Sequence, residues 1–378
     1  MVEAEVISPV ILFIVKYKWI FLFYVLAALF ILLTKKRWEI HAKIIYLYRT
    51  SLGLAWMDAI ANKYREIVKL VSLIGVGIGF TGMIVIAVTL IISAWQLVTV
   101  PEAPASVGLV LPETTIPGIG VLPFHFWLIT IFIIAVVHEF SHGVVARAHN
   151  VRVQSSGIAF IGPILAAFVE PEEKKLAKQS DVVQYSVFAA GPFANILLGF
   201  FAILASLLLL NFSAGIEVVA VNPGMPAEAA GLPQGTIITQ FNSQQVSGVD
   251  DLQAALTAAK GKEDVHVVTA SGQGYILNMS GRDKMGVQLR NSFGIGMKAA
   301  VLNWVNDLLF WLRILSFGIG LFNLLPLGPV DGGRMFRIAM HRLVRNRKSA
   351  DAWFRNVSIA FFVLLVLLLT FPFVRTIF

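Results

Sequence analysis

Six apolar runs constrain this chain more than any other feature of its sequence. They cover approximately residues 9–34, 68–98, 124–148, 182–212, 303–328 and 353–374, each near or above the roughly 20 residues that cross a bilayer as a helix. A backbone in lipid must satisfy its own polar groups, so runs of this length predict helices. The charged fraction is 14% and the hydrophobic fraction 57%, against roughly 25% charged in an average soluble domain. The expected fold is therefore a polytopic α-helical membrane protein with about six transmembrane helices. Lys16 and Lys18 interrupt the first run and Lys35, Lys36 and Arg37 follow it, the pattern of a retained anchor and not of a cleaved signal. Asp307 and Arg313 interrupt the fifth, which leaves two readings, a span over 303–328 or an amphipathic helix at the outer surface before residue 314.

The net charge of +8 does not point to nucleic acid, because the basic residues flank apolar spans and do not form a polar, aromatic-interleaved domain. They fit membrane orientation instead, since Lys and Arg concentrate in cytoplasmic loops. Residues 35–69 hold eight basic and three acidic residues, 99–125 two acidic and no basic, 147–178 five basic and three acidic, and 334–348 six basic and no acidic. Alternation then places both termini and a polar insert at about 213–302 outside the cell membrane. Five regions follow: a two-helix region at 1–123, a core at 124–212, the extracytoplasmic insert at 213–290, a connecting and membrane helix at 291–340, and a last helix at 341–378.

The third run contains His138-Glu139-Phe140-Ser141-His142, an HExxH pattern. Residues four apart share a helix face, so both histidines can reach one zinc ion. Glu139 then stands where it can take a proton from zinc-bound water, whose pKa the metal lowers to about 7. Ionisable groups inside an apolar span are costly, about 2.5–3.5 kcal/mol for a central Asp, and usually have a functional partner. A catalytic zinc normally takes three protein ligands. With no cysteine in the chain, the third must be His, Asp or Glu. The metzincin position is Ala148 and the glycine expected before it is Val145, while His149 is one residue late and reads as an interfacial residue. Glu170, Glu172 and Glu173 are candidates in a basic, hydrophilic stretch; Asp331 competes with them, in FNLLPLGPVDGGR at the cytoplasmic end of the fifth run.

In the insert, Gly231, Leu232, Gly235 and Ile237 fit a GLxxGxxI core, and the segment resembles a PDZ domain of the prokaryotic, protease-associated type, a small α/β fold. HEFSH, NLLPLGPVDGG and this insert between them together resemble the site-2 protease family, intramembrane zinc metalloproteases of peptidase family M50, over most of residues 124–340. The resemblance implies one zinc per chain held by His138, His142 and Asp331, with Glu139 as catalytic base. It also implies that Asn323 holds substrate and that Asn195, in GPFANILLG, is a polar substrate-side group near the site. The valine before Asp331 stands where many members have leucine. Residues 151–171, with a Gly162-Pro163 break, resemble the family's membrane re-entrant β-hairpin. The implied activity is hydrolysis of peptide bonds within transmembrane segments of membrane proteins, unwound against the hairpin edge near 158–170, with peptides at the PDZ domain and the lipid bilayer as further partners. A non-proteolytic adaptor with a structural zinc is the alternative reading. A metal transporter is a third, although it would spread ligands over several spans.

Overall fold

The computed structural model describes residues 9–41, 44–100, 107–108, 110–116, 119–161, 164–282 and 284–375; the Gly162-Pro163 break lies outside them. In chain order the elements are α1 (Pro9–Lys16), α2 (Lys18–Leu33), β1 (Trp38–His41), β2 (Ile45–Thr50), α3 (Leu54–Lys63), α4 (Arg65–Thr99), β3 (Thr115–Ile116), β4 (Gly120–Val121) and α5 (Phe124–Ala148). Next come β5 (Val153–Ile161), β6 (Ile164–Pro171), α6 (Glu173–Leu176), α7 (Asp181–Leu210), β7 (Gly215–Val221), α8 (Pro226–Ala229), β8 (Ile237–Phe241), β9 (Gln244–Gln245) and α9 (Val249–Ala258). The chain ends with β10 (Asp264–Thr269), β11 (Gly274–Asn278), β12 (Val287–Ser292), α10 (Met297–Phe322), α11 (Asp331–Leu343) and α12 (Arg347–Arg375).

Among the described residues, five helices are long and apolar enough to cross a membrane: α4, α5, α7, α10 and Arg347–Phe371 of α12. The first apolar run differs from expectation. It is broken at Tyr17 into helices of 8 and 16 residues, and 16 residues rise only about 24 Å, short of a hydrocarbon core of about 30 Å. The fifth run lies largely in α10, one continuous helix of 26 residues that is long and apolar enough to cross a membrane. Asp307 is met there by the Arg290 guanidinium at 3.1 Å, so the charge that broke the apolar pattern has a partner.

The chain divides into two compact units, residues 1–199 with 311–378, and residues 200–310. In the first, α4 presents Gly75, Gly79 and Gly82 as a small-residue face, the device by which membrane helices approach closely. A Cβ at Gly75 would stand 2.9 Å from the Phe193 ring, and one at Gly79 3.0 Å from Met335. The same unit holds a four-stranded antiparallel sheet, ordered β1-β2-β5-β6. Arg49 of β2 fastens its far end, bonding Glu39 of β1, Ser155 of β5 and Glu170 of β6. β6 is the outer strand and packs along α5.

The second unit is a sheet ordered β11-β10-β8-β7-β12, with β9 paired to β8. Ile216, Val218, Ile238, Phe241, Val267 and Leu277 are fully buried in its core; Ile216 and Val218 follow period-two alternation, and a register shift between β8 and β10 brings Ile238 and Phe241, three residues apart, to the same side. Gly231 and Gly235 have φ of +69° and +83°, and the Gly235 N–H donates to the Val218 carbonyl at 2.8 Å. Turns with positive φ there suit glycine alone.

Candidate metal centre

His138 and His142 lie in the second half of α5, one turn apart and both buried. His138 stands roughly 21 Å along the helix from Phe124 at 1.5 Å per residue. Their Nε2 atoms are 3.2 Å apart. Asp331, the first residue of α11, brings Oδ2 to 3.1 Å from His138 Nε2 and 3.4 Å from His142 Nε2. Three donor atoms from positions far apart in sequence thus form a nearly equilateral triangle. Among the described residues, this is the group of acidic and histidine side chains able to hold a metal ion.

The donors fit zinc. Bonds of about 2.0–2.1 Å in a tetrahedral shell put neighbouring ligand atoms roughly 3.3–3.4 Å apart, close to the edges of this triangle. The imidazoles are also oriented for it. His142 Nδ1 lies 2.6 Å from the Val187 carbonyl, to which only a protonated Nδ1 can bond, and this leaves the Nε2 lone pair facing the triangle. His138 Nδ1 lies 3.0 Å from the fully buried side-chain amide of Asn195 on α7. The atom placed there is Nδ2, and Oδ1 is buried without a partner; a histidine ligating through Nε2 carries its proton on Nδ1, so turning the amide over would let Oδ1 accept that proton and give both atoms a partner.

Backbone closes the back of the triangle. A Cβ at Gly191 would stand 2.6 Å from His138 Nε2 and closer still to His142 Nε2. The two residues after Asp331 are held in the same way: a Cβ at Gly332 would meet the Leu324 carbonyl, and one at Gly333 the Leu327 carbonyl. The Gly332 N–H donates to the Asn323 carbonyl at 2.7 Å, which pins the start of α11 to the turn after α10.

Glu139 is half-buried and its Oε2 accepts the Val169 N–H of β6 at 2.9 Å. It lines two cavities. One, of about 770 Å³, is polar and also bordered by His138, His142, Asn323, Asp331 and Arg334. The other, of about 380 Å³, is bordered mainly by apolar side chains of α3, α5 and the sheet, among them Trp56, Met57, Phe140 and Leu165. The Val169 N–H points away from β5, so by strand alternation the N–H and C=O groups of Leu165 and Ala167 do too. No described strand lies beyond β6.

Of the residues singled out from sequence, His138, Glu139, His142, Asp331 and Asn323 border one cavity, as do Glu170, Glu172 and Glu173, but only His138, His142 and Asp331 bring ligand atoms together. Asn195 is on the opposite side, behind His138, where it contacts a donor of the triangle. Asn323 Nδ2 donates to its own helix at Ile319. Glu170 is taken by Arg49 and His149 ends α5, its N–H bonded to Val145. Sequence reasoning missed β1 and β2 as parts of the sheet. The aromatic and β-branched run IYLYRT was the available signal, hidden in a stretch read for its charges. It also missed Val187, which acts through its backbone carbonyl and carries no chemical signature, and, though it picked out GPFANILLG, the close approach of Gly191 to the imidazoles.

The sequence profile described as Peptidase family M50 matches residues 126–369. A protein of Methanocaldococcus jannaschii named only as uncharacterized is 26% identical, over 80% of this chain and 79% of its own length. A protein of Clostridium perfringens provisionally named a zinc metalloprotease is 23% identical, covering 64% of this chain and 94% of its own. The zinc metalloprotease RasP of Shouchella clausii is 22% identical, covering 46% of this chain and 54% of its own.

Proposed function

This chain belongs to peptidase family M50, and from that premise we propose that it is an intramembrane zinc endopeptidase acting on the membrane-spanning segments of other proteins. The observation that carries the reading is the His138–His142–Asp331 triangle on and beside helices long enough to cross a membrane, with Glu139 at its rim. His138, His142 and Asp331 hold the metal; when bound, zinc supplies Lewis acidity toward a peptide carbonyl and acidifies water. Glu139 accepts the proton of the attacking water and passes it to the leaving amide nitrogen. Asn195 and the Val187 carbonyl keep the two imidazoles in the ligating tautomer, and Asn323 faces the substrate side.

A substrate helix buries its own peptide bonds, so it must unwind before its carbonyl is reachable. The outward groups of Leu165 and Ala167 on β6 offer strand pairing in exchange. The sheet is read here as the re-entrant element, since strand edges at membrane depth are tolerated where they are buried in protein or line a cavity. The apolar cavity beyond Glu139 gives room for a substrate side chain. The sheet of residues 215–292 is read as a PDZ-type domain on the extracytoplasmic side that limits access, and the basic loops as cytoplasmic, putting the metal centre toward the cytoplasmic side.

Replacing Glu139 by Gln tests the reading. Purified Glu139→Gln should retain zinc and lose cleavage of single-span substrates by several orders of magnitude; undiminished cleavage sinks it.

A further inference from the structure

We propose that the elbow joining α11 to α12 is a binding site for the phosphate headgroups of anionic phospholipids. Residues 334–348 carry six basic side chains and no acidic one. Two of the six are committed within the protein. Arg334 lies over the Phe188 ring at 5.4 Å, and Arg337 shares Asp351 with His341, at 3.1 and 3.0 Å. The other four, Arg342, Arg345, Arg347 and Lys348, are exposed and have no ion-pair or hydrogen-bond partner for their side chains among the described residues. Four like charges within residues 342–348 repel one another, and an external anion relieves that repulsion.

Their location says which anion. The membrane-length stretch of α12 starts at Arg347, so the cluster sits at one end of a membrane helix, where surface potential and headgroups are found. Leu343, between the arginines, is 75% exposed, and Trp353, one and a half turns into α12, is 60% exposed. An apolar side chain among basic ones, with a tryptophan just below, matches a headgroup layer over acyl chains. Orientation by loop charge accounts for the basic residues but makes no demand on Leu343 or Trp353. An acidic protein partner would leave Leu343 in water. The helix bounded by this site begins with Asp331, so headgroups hold the far end of the helix that supplies the third donor.

The test uses the full chain in mild detergent and native mass spectrometry with phosphatidylglycerol and phosphatidylcholine of equal acyl chains. Phosphatidylglycerol should be retained preferentially, with the preference falling about fivefold for each basic residue replaced by Gln and vanishing in Arg342→Gln/Arg345→Gln/Arg347→Gln/Lys348→Gln. The corresponding triple Arg→Lys variant keeps the charge and should keep the preference. Leu343→Gln should weaken both lipids alike. Single variants Arg345→Gln and Lys348→Gln carry the test should the quadruple variant not fold. Equal retention of the two lipids by the unmodified chain, or a preference untouched in the Gln variants, overturns the proposal. So does displacement by millimolar inorganic phosphate, which would make the ligand a free anion.

Discussion

Gly191→Ala should strip the metal from the centre. The added Cβ would stand 2.6 Å from His138 Nε2, whereas ordinary contact begins at 3.4 Å, so the ring must retreat by about 0.8 Å in a close-packed interior. Zinc ligands tolerate only about 0.2 Å of departure from their bond lengths. Because His142 is nearer still, both imidazoles are displaced together. Perturbing a single supporting contact costs roughly 10–100-fold in metal affinity, so the loss here should be at least about 100-fold. Alanine is the better helix former by about 1 kcal/mol in a helix interior, but residue 191 precedes Pro192 within α7, where a Cβ is disfavoured, so the melting temperature is measured beside the zinc content. Gly77→Ala on α4, whose Cβ would meet nothing within 4 Å, is the matched control. Zinc per chain would be measured by mass spectrometry during titration with a competing chelator. Equal zinc affinity in Gly191→Ala and Gly77→Ala would refute the argument that backbone closes the triangle.

Two further outcomes follow from the same geometry. Asn195→Ala leaves His138 Nδ1 without its partner and should lower zinc affinity about 10–100-fold, read in the same titration, with Asn195→Asp restoring most of it; a substrate-binding residue would change KM and leave zinc in place. Ala167→Pro removes an outward N–H that takes no part in the ladder with β5, so zinc content and melting temperature should stay near those of the unmodified protein while cleavage falls about five- to tenfold, the worth of one lost hydrogen bond of roughly 1–1.5 kcal/mol; unchanged cleavage would dismiss β6 as the substrate's partner strand.

The parts legible from sequence were those with a local period. His138 and His142 announce themselves because a helix repeats every turn, and five of the six apolar runs are long helices because length alone decides the matter in lipid. The first run failed because composition records hydrophobicity and not continuity, and the chain breaks at Tyr17 between two lysines. Asp331 lies 193 residues from His138, beyond any periodic argument, and was reachable only through the resemblance of its Asp-Gly-Gly context. Asn195 was read as a polar group near the site, and its contact is with His138 Nδ1; no pattern in α7 tells which face meets α5. The sheet of β1, β2, β5 and β6 was half visible. Pairing across about 100 residues is a tertiary outcome, and the charges of residues 35–69 drew attention to topology.

The two glycines after Asp331 set how far this segment can drift. Their missing side chains are occupied by carbonyls of Leu324 and Leu327, so any substitution there is blocked by volume before chemistry is consulted. Val330 is half-buried and packs through its side chain against the leucine cluster of Leu325, Leu327 and Leu365, so what it requires is an apolar side chain, whereas the two glycines require that there be none. The heritable unit at this end of the centre is a tripeptide shaped by backbone, of which a single residue is a ligand.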